Sequence, residues 1–175
     1  YGILNGALLA SVADLGVDGF TLAMLAGGGA GLYVPWQWSQ TRPVSDARAS
    51  LISFAGGWGM WQGIGWMAAL VDESSADANI TMGMLAGGAG ILTATALTGK
   101  HNLSAGDASF ITTAPAWSSA YWLWVMILTG TENGRFVLGT TLAAGDIGVA
   151  TGVLLADRIE ASQGRVRLAN LGGIV

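Results

Sequence analysis

Asp146 is the residue best placed to do chemistry, because it is the one charged group in the apolar run from Phe136 to Ala156. A carboxylate in such a run is costly, and where it is kept it marks an ion path or a polar contact between helices. The expectation is that Asp146 faces the interior of a helix bundle, protonated or hydrogen-bonded to a threonine. Gln62 and Asn5 are the other notable polar groups in apolar segments, besides scattered Ser and Thr. Nucleophilic chemistry has less to draw on. Ser45, Ser104 and Ser162 each open a helical pattern, but none has the histidine and acid that would activate its hydroxyl. Serine there is a preferred helix N-cap, its oxygen accepting from the free N–H groups of the first turn. His101, the single histidine, lies in a connection with Asp107 as its nearest acid and reads as a solvated loop residue.

Enzyme motifs are missing as well. HExxH, GxSxG, phosphate-loop and paired-carboxylate patterns do not occur. The Gly-rich stretch from Gly27 to Gly31 is not a dinucleotide loop, since no strand precedes it and no ribose-binding acid follows at the right spacing. With no Cys and no His inside an apolar segment, the sequence offers no ligand set for a metal or porphyrin. These features read as a protein that is not an enzyme and uses no cofactor.

The elements that position Asp146 follow from composition and charge spacing. Hydrophobic residues make up 52% of the 175 and charged residues only 10%, against roughly 25% charged in soluble domains. So few charges do not easily cover a soluble surface. A formal charge of −4 with seven Lys plus Arg leaves nucleic-acid binding without an electrostatic basis. Uncharged blocks run from Gly19 to Thr41, Leu51 to Val71, Asn79 to Gly99 and Ala108 to Gly130. Each matches the roughly 20 helical residues that cross a hydrocarbon layer of ~30 Å. A transmembrane β-barrel would need apolar and polar residues to alternate, and Ala120 to Leu128 does not alternate. The expected fold is an all-α, multi-pass transmembrane bundle. It has a partial helix at 1–13, helices near 20–38, 47–71, 81–99, 106–130 and 136–156, and a last one from about 163. Turn residues punctuate the connections at Asp18-Gly19, Arg42-Pro43, Asp72 to Asn79 and Asn133-Gly134.

The order of residues recurs with a period of about 58. Ser45-Asp46-Ala47-Arg48 corresponds to Ser104-Ala105-Gly106-Asp107 and to Ser162-Gln163-Gly164-Arg165, the serines lying 59 and then 58 positions apart. A second helix repeats as Leu25-Ala26-Gly27-Gly28, Leu85-Ala86-Gly87-Gly88 and Leu142-Ala143-Ala144-Gly145. Trp58 aligns with Trp117 and Val175, and Tyr1-Gly2 with Trp58-Gly59. The reading is a single membrane domain of about three direct repeats of a two-helix unit, at approximately 1–57, 58–116 and 117–175. A chain that starts and stops at the same point of the cycle is expected to be part of a longer repetitive protein.

Charge sorts between the two sides of this array. Connections around 39–48, 99–107 and 157–167 hold Arg42, Arg48, Lys100, Arg158, Arg165 and Arg167, which leaves only Arg135 among Asp14, Asp18, Asp72, Glu73, Asp77 and Glu132 on the other side. In a bacterial inner membrane the positive-inside rule places the serine-cap side in the cytoplasm. The third position after each serine alternates in sign through Arg48, Asp107 and Arg165. Asp107 is therefore expected to bridge to the two arginines of neighbouring repeats.

Glycine and tryptophan supply the packing. Gly2-xxx-Gly6, Gly27-xxx-Gly31, Gly59-xxx-Gly63, Gly83-xxx-Gly87 and Gly148-xxx-Gly152 each place small residues on one helical face. Close backbone approach through such faces drives helix association where lipid offers no hydrophobic drive. Trp36, Trp38, Trp66, Trp122 and Trp124 fall toward helix ends and suit interfacial anchoring. Trp58, Trp61 and Trp117 sit deeper, either filling space opposite glycines or stacking on a bound lipid or pigment. Pro115 is expected to kink its helix and free a carbonyl for Thr112, Ser118 or Ser119 to satisfy.

Two function classes follow. One is a structural or assembly subunit of a bacterial envelope membrane, embedded in the bilayer and packing against copies of itself or other membrane proteins. The other is a transporter or ion-channel component with Asp146 in the path. Sparse intramembrane polar groups favour the first, and a continuous water-lined path would favour the second.

Overall fold

Serine caps and short polar turns divide the chain into helices. The computed structural model describes residues 2–41, 43–99, 101–156, 158–159 and 161–173. Among the described residues lie seven helices and no strand: α1 Gly2–Val12, α2 Val17–Thr41, α3 Asp46–Leu70, α4 Ala76–Thr98, α5 Ala105–Leu128, α6 Gly134–Ala156 and α7 Gln163–Gly172. The fold is all-α. Helix ends lie within a turn of the expected positions except at the start of α4. That helix begins earlier because Ser75, read as part of a turn, is an N-cap whose hydroxyl accepts from Ala78 N at 3.1 Å.

Ser45, Ser104 and Ser162 cap α3, α5 and α7 in the same way, accepting from Arg48 N, Asp107 N and Arg165 N. At Ser104 the cap is reciprocal, since Asp107 Oδ2 accepts from Ser104 N at 2.8 Å. Such a capping box satisfies two of the free donors of the first turn. Ser104→Ala is expected to destabilise the fold by about 1 kcal/mol, read by unfolding in detergent micelles. The hairpin connections opposite these caps turn on left-handed residues: Asp14 (φ 50), Glu73 (φ 53) and Gly130 (φ 64).

The helices α2, α4 and α6 are long and apolar enough to cross a membrane. The Gly, Ser, Trp and Gln content of α3 and α5 keeps them below that apolarity, although they are equally long. Packing supplies the reason. Residues such as Leu51, Met60, Gln62 and Gly63 of α3 are buried by neighbouring helices, whereas α2 buries none. The helices pair as α1 with α2, α3 with α4 and α5 with α6; α3 also touches α5 and α6, α5 touches α7, and α1 touches α4. A small core of Ala47, Leu51, Ala108, Ile111 and Ala156 lies where α3, α5 and the end of α6 meet, with Leu103 against it.

Candidate functional site

Asp146 and Gln62, both singled out from the sequence, meet across the α3–α6 contact. Asp146 Oδ1 accepts from Gln62 Nε2 at 2.8 Å and from Trp58 Nε1 at 3.1 Å. Gln62 Nε2 also donates to the Leu142 carbonyl at 3.3 Å. The geometry is helical: Trp58 and Gln62 are four residues apart on α3, Leu142 and Asp146 four apart on α6, so each pair shares a face. Gln62 is 9% exposed, and its Oε1 is buried with no hydrogen-bond partner.

Two expectations for Asp146 are corrected here. Its partners are an indole and an amide, not a threonine. Nor does it face the interior: the residue is exposed. The reason lies with its neighbours on α6. Gly148 and Gly152 turn toward α5, where a methyl added at Gly148 would come within 2.7 Å of Pro115 Cα, and Gly145 sits between Ser119 of α5 and Trp58 of α3. Asp146 is rotated off that seam, toward α3 and the outside.

Every glycine named as a packing position sits at a close helix crossing. A methyl at Gly31 would lie 2.9 Å from Gly2 Cα, and one at Gly63 would lie 2.8 Å from Ala86 Cβ and meet the Met82 backbone. Gly6 meets the Ala23 backbone, Gly27 the Gly2 carbonyl and Gly59 the Ala86 carbonyl and Gly87 Cα. A methyl at Gly83 would lie 2.7 Å from Ile64 Cγ1, and one at Gly152 would lie 3.1 Å from Ile111 Cα.

The charged positions take other partners than expected. Arg48 reaches across to the end of α4, donating from Nη2 to the Thr95 carbonyl at 3.1 Å and from Nε to Thr98 Oγ1 at 3.2 Å. Its guanidinium also lies over the Trp38 ring of α2 at 5.7 Å. A cation is favourable at a helix C-terminus, where the last carbonyls are unpaired. Asp107 is used by its own cap, so it bridges neither Arg48 nor Arg165. The ion pair among the described residues joins Arg135 to Asp72, with Arg135 Nη2 also donating to the Val71 carbonyl at 2.9 Å. Arg42, Lys100, Tyr1 and Val175 lie outside the described residues.

The tryptophans divide by depth. Trp36, Trp122 and Trp124 are exposed, and so is Trp61. Trp38 is half-buried beside Arg48, and Trp66 is half-buried next to Gly139. The ring of Trp58 fills the space beside Gly145, where an added methyl would come within 2.6 Å of it. Trp117 does the same at Gly173 and donates from Nε1 to Asn170 Oδ1 at 2.7 Å. Asn170 was not singled out from the sequence; its signal is a carboxamide in the last turn of a short helix. Pro115 is fully buried within a continuous α5. The side chains expected to offset it act elsewhere: Thr112 donates to the Ala108 carbonyl, Ser119 to the Thr141 carbonyl, and Ser118 lies against Gly148.

Beside the Asp146 contact, toward the serine-cap end, α3, α4 and α6 border an apolar cavity of about 490 Å³. A carboxylate held by two neutral donors next to an apolar space is suited to fixing the rotation of one helix against another. Comparison with protein-family models, curated proteins and solved structures finds no match, so the functional reading rests on these residues.

Proposed function

We propose that the chain is a non-enzymatic, membrane-embedded structural or assembly subunit, built from direct repeats of a helical hairpin. The observation that carries this reading is the use of the intramembrane polar groups. Asp146 Oδ1 takes the Gln62 amide and Trp58 indole donors across α3 and α6, and the space beside them is mostly apolar. That arrangement locks helices together and leaves an ion path without polar lining. The repeat is supported by recurrence at three levels. N-cap serines open α3, α5 and α7, left-handed residues turn each of the three hairpins, and glycines sit at each hairpin crossing.

Large exposed apolar residues on α2, α4 and α6, among them Leu32, Leu92 and Leu154, suit both lipid and a neighbouring copy. A side-by-side array of copies or of further repeats in a bacterial envelope membrane, basic side inward, is the assembly this favours. Cross-linking the protein in its native membrane tests it. The expected result is a ladder of oligomers or a defined hetero-complex that persists on dilution with excess lipid. A monomer at every protein-to-lipid ratio would remove the assembly role.

A further inference from the structure

The apolar cavity is a groove between α4 and α6, which do not touch each other. Its floor is Phe54 and Trp58 of α3, and its walls include Thr93 and Leu97 of α4 and Val149 and Val153 of α6. The polar atoms of the lining near its two ends are already engaged. The Trp58 N–H is held by Asp146. The Thr98 hydroxyl donates to the Ala94 carbonyl at 2.6 Å and accepts from Arg48. Apart from the Thr93 hydroxyl and His101 at the mouth, the walls offer carbon, a lining that favours an apolar occupant over water.

Length and charge indicate what fits. From Ala89 to Thr98 the α4 wall rises about 14 Å, close to half of a ~30 Å hydrocarbon layer. The groove begins at the serine-cap end, where His101 lines its mouth and Arg48 lies against Thr98 and Gly99. It ends near mid-helix, where Trp58 meets Asp146. We propose that this groove binds one acyl tail of an anionic phospholipid from the leaflet on the serine-cap side. The phosphate sits at Arg48 and the tail ends against Trp58. Because α4 and α6 stand apart, the tail enters sideways from the bilayer. The inference rests on the membrane-embedded reading.

The test uses the whole chain in phosphatidylcholine vesicles carrying a trace of phosphatidylglycerol with a photoreactive diazirine at the end of one acyl chain. Adducts after irradiation are located by peptide mass spectrometry. Label is expected to concentrate around Trp58 and Val149 and to be displaced by unlabelled phosphatidylglycerol in a saturable way. Thr93→Trp and Val153→Trp fill the groove and each lowers that labelling about tenfold, by excluding several methylenes from burial. Leu92→Trp, on α4 outside the groove, leaves it unchanged. Arg48→Gln reduces the preference for phosphatidylglycerol over an equivalent phosphatidylcholine probe.

Label spread evenly over exposed positions such as Leu32 and Leu154, with no saturable displacement in the unaltered chain, overturns the proposal whether or not the variants fold. Equal labelling by both probes in the unaltered chain overturns the anionic headgroup assignment. A chain that alkaline washing strips from the vesicles overturns the membrane reading, and the groove with it. A chain that resists washing but labels evenly refutes the groove alone.

Discussion

Gly63→Leu will break the α3–α4 crossing. A methyl at Gly63 already meets the Met82 backbone and lies 2.8 Å from Ala86 Cβ, so a leucine forces the two helices apart. Overpacking a tight contact costs about 1–3 kcal/mol, and backbone that cannot move aside puts this site at the upper end, about 3 kcal/mol. Gly88→Leu is the matched control on α4. Nothing lies within 4 Å of a methyl added there, and removing a helical glycine gains up to about 1 kcal/mol. Unfolding in mixed micelles reads both variants. A Gly63→Leu protein as stable as Gly88→Leu would mean that the crossing does not hold the fold.

Asp146→Ala and Asp146→Asn will separate a structural carboxylate from a transporting one. Alanine strips the acceptor from Trp58 Nε1 and leaves Gln62 Nε2 with the Leu142 carbonyl alone. Trp58 is only half-buried, so its unpartnered N–H is expected to cost about 1 kcal/mol, the low end of the range for a donor left without a partner. Asparagine keeps a carbonyl oxygen for the same two donors, so its loss is expected to stay near 0.5 kcal/mol, the usual scale of hydrogen bonds between helices in membranes. Stability measured for both, beside Trp58→Phe, gives the coupling between the indole and the carboxylate. An ion path needs the charge itself. Flux in vesicles carrying the unaltered chain that disappears equally with alanine and asparagine would therefore favour a transporter.

The helices were readable because their signals are local. Long charge-free blocks, serines that cap, and glycines spaced by four are all patterns within one helix, and no tertiary knowledge is needed to see them. Ser75 was missed because a run of turn formers from Asp72 to Asn79 hides the cap inside it. Facing was harder to read. Periodicity tells which side of a helix turns inward only when one side is polar, and α3 is small or apolar on most of its circumference. The rotation that brings Gln62 and Trp58 to Asp146, more than 80 residues away, is set by glycine seams on two different helices. Arg48 illustrates the same limit. Its alternation with Asp107 suggested a bridge, yet the nearer demand was the unpaired end of α4, while Asp107 was already committed to Ser104.

The sidedness of the helix array tests the central claim most directly. The sequence contains no Cys, so a single cysteine placed at an exposed position is a unique probe for a membrane-impermeant maleimide. In sealed vesicles of one orientation, Thr41→Cys and Asn102→Cys are expected to react from one side and Glu73→Cys and Glu132→Cys only from the other. Leu92→Cys, within α4, is expected to stay unreactive in the intact bilayer. Reaction of all four connections from the same side, or of Leu92→Cys with the bilayer intact, would contradict a membrane-spanning hairpin array.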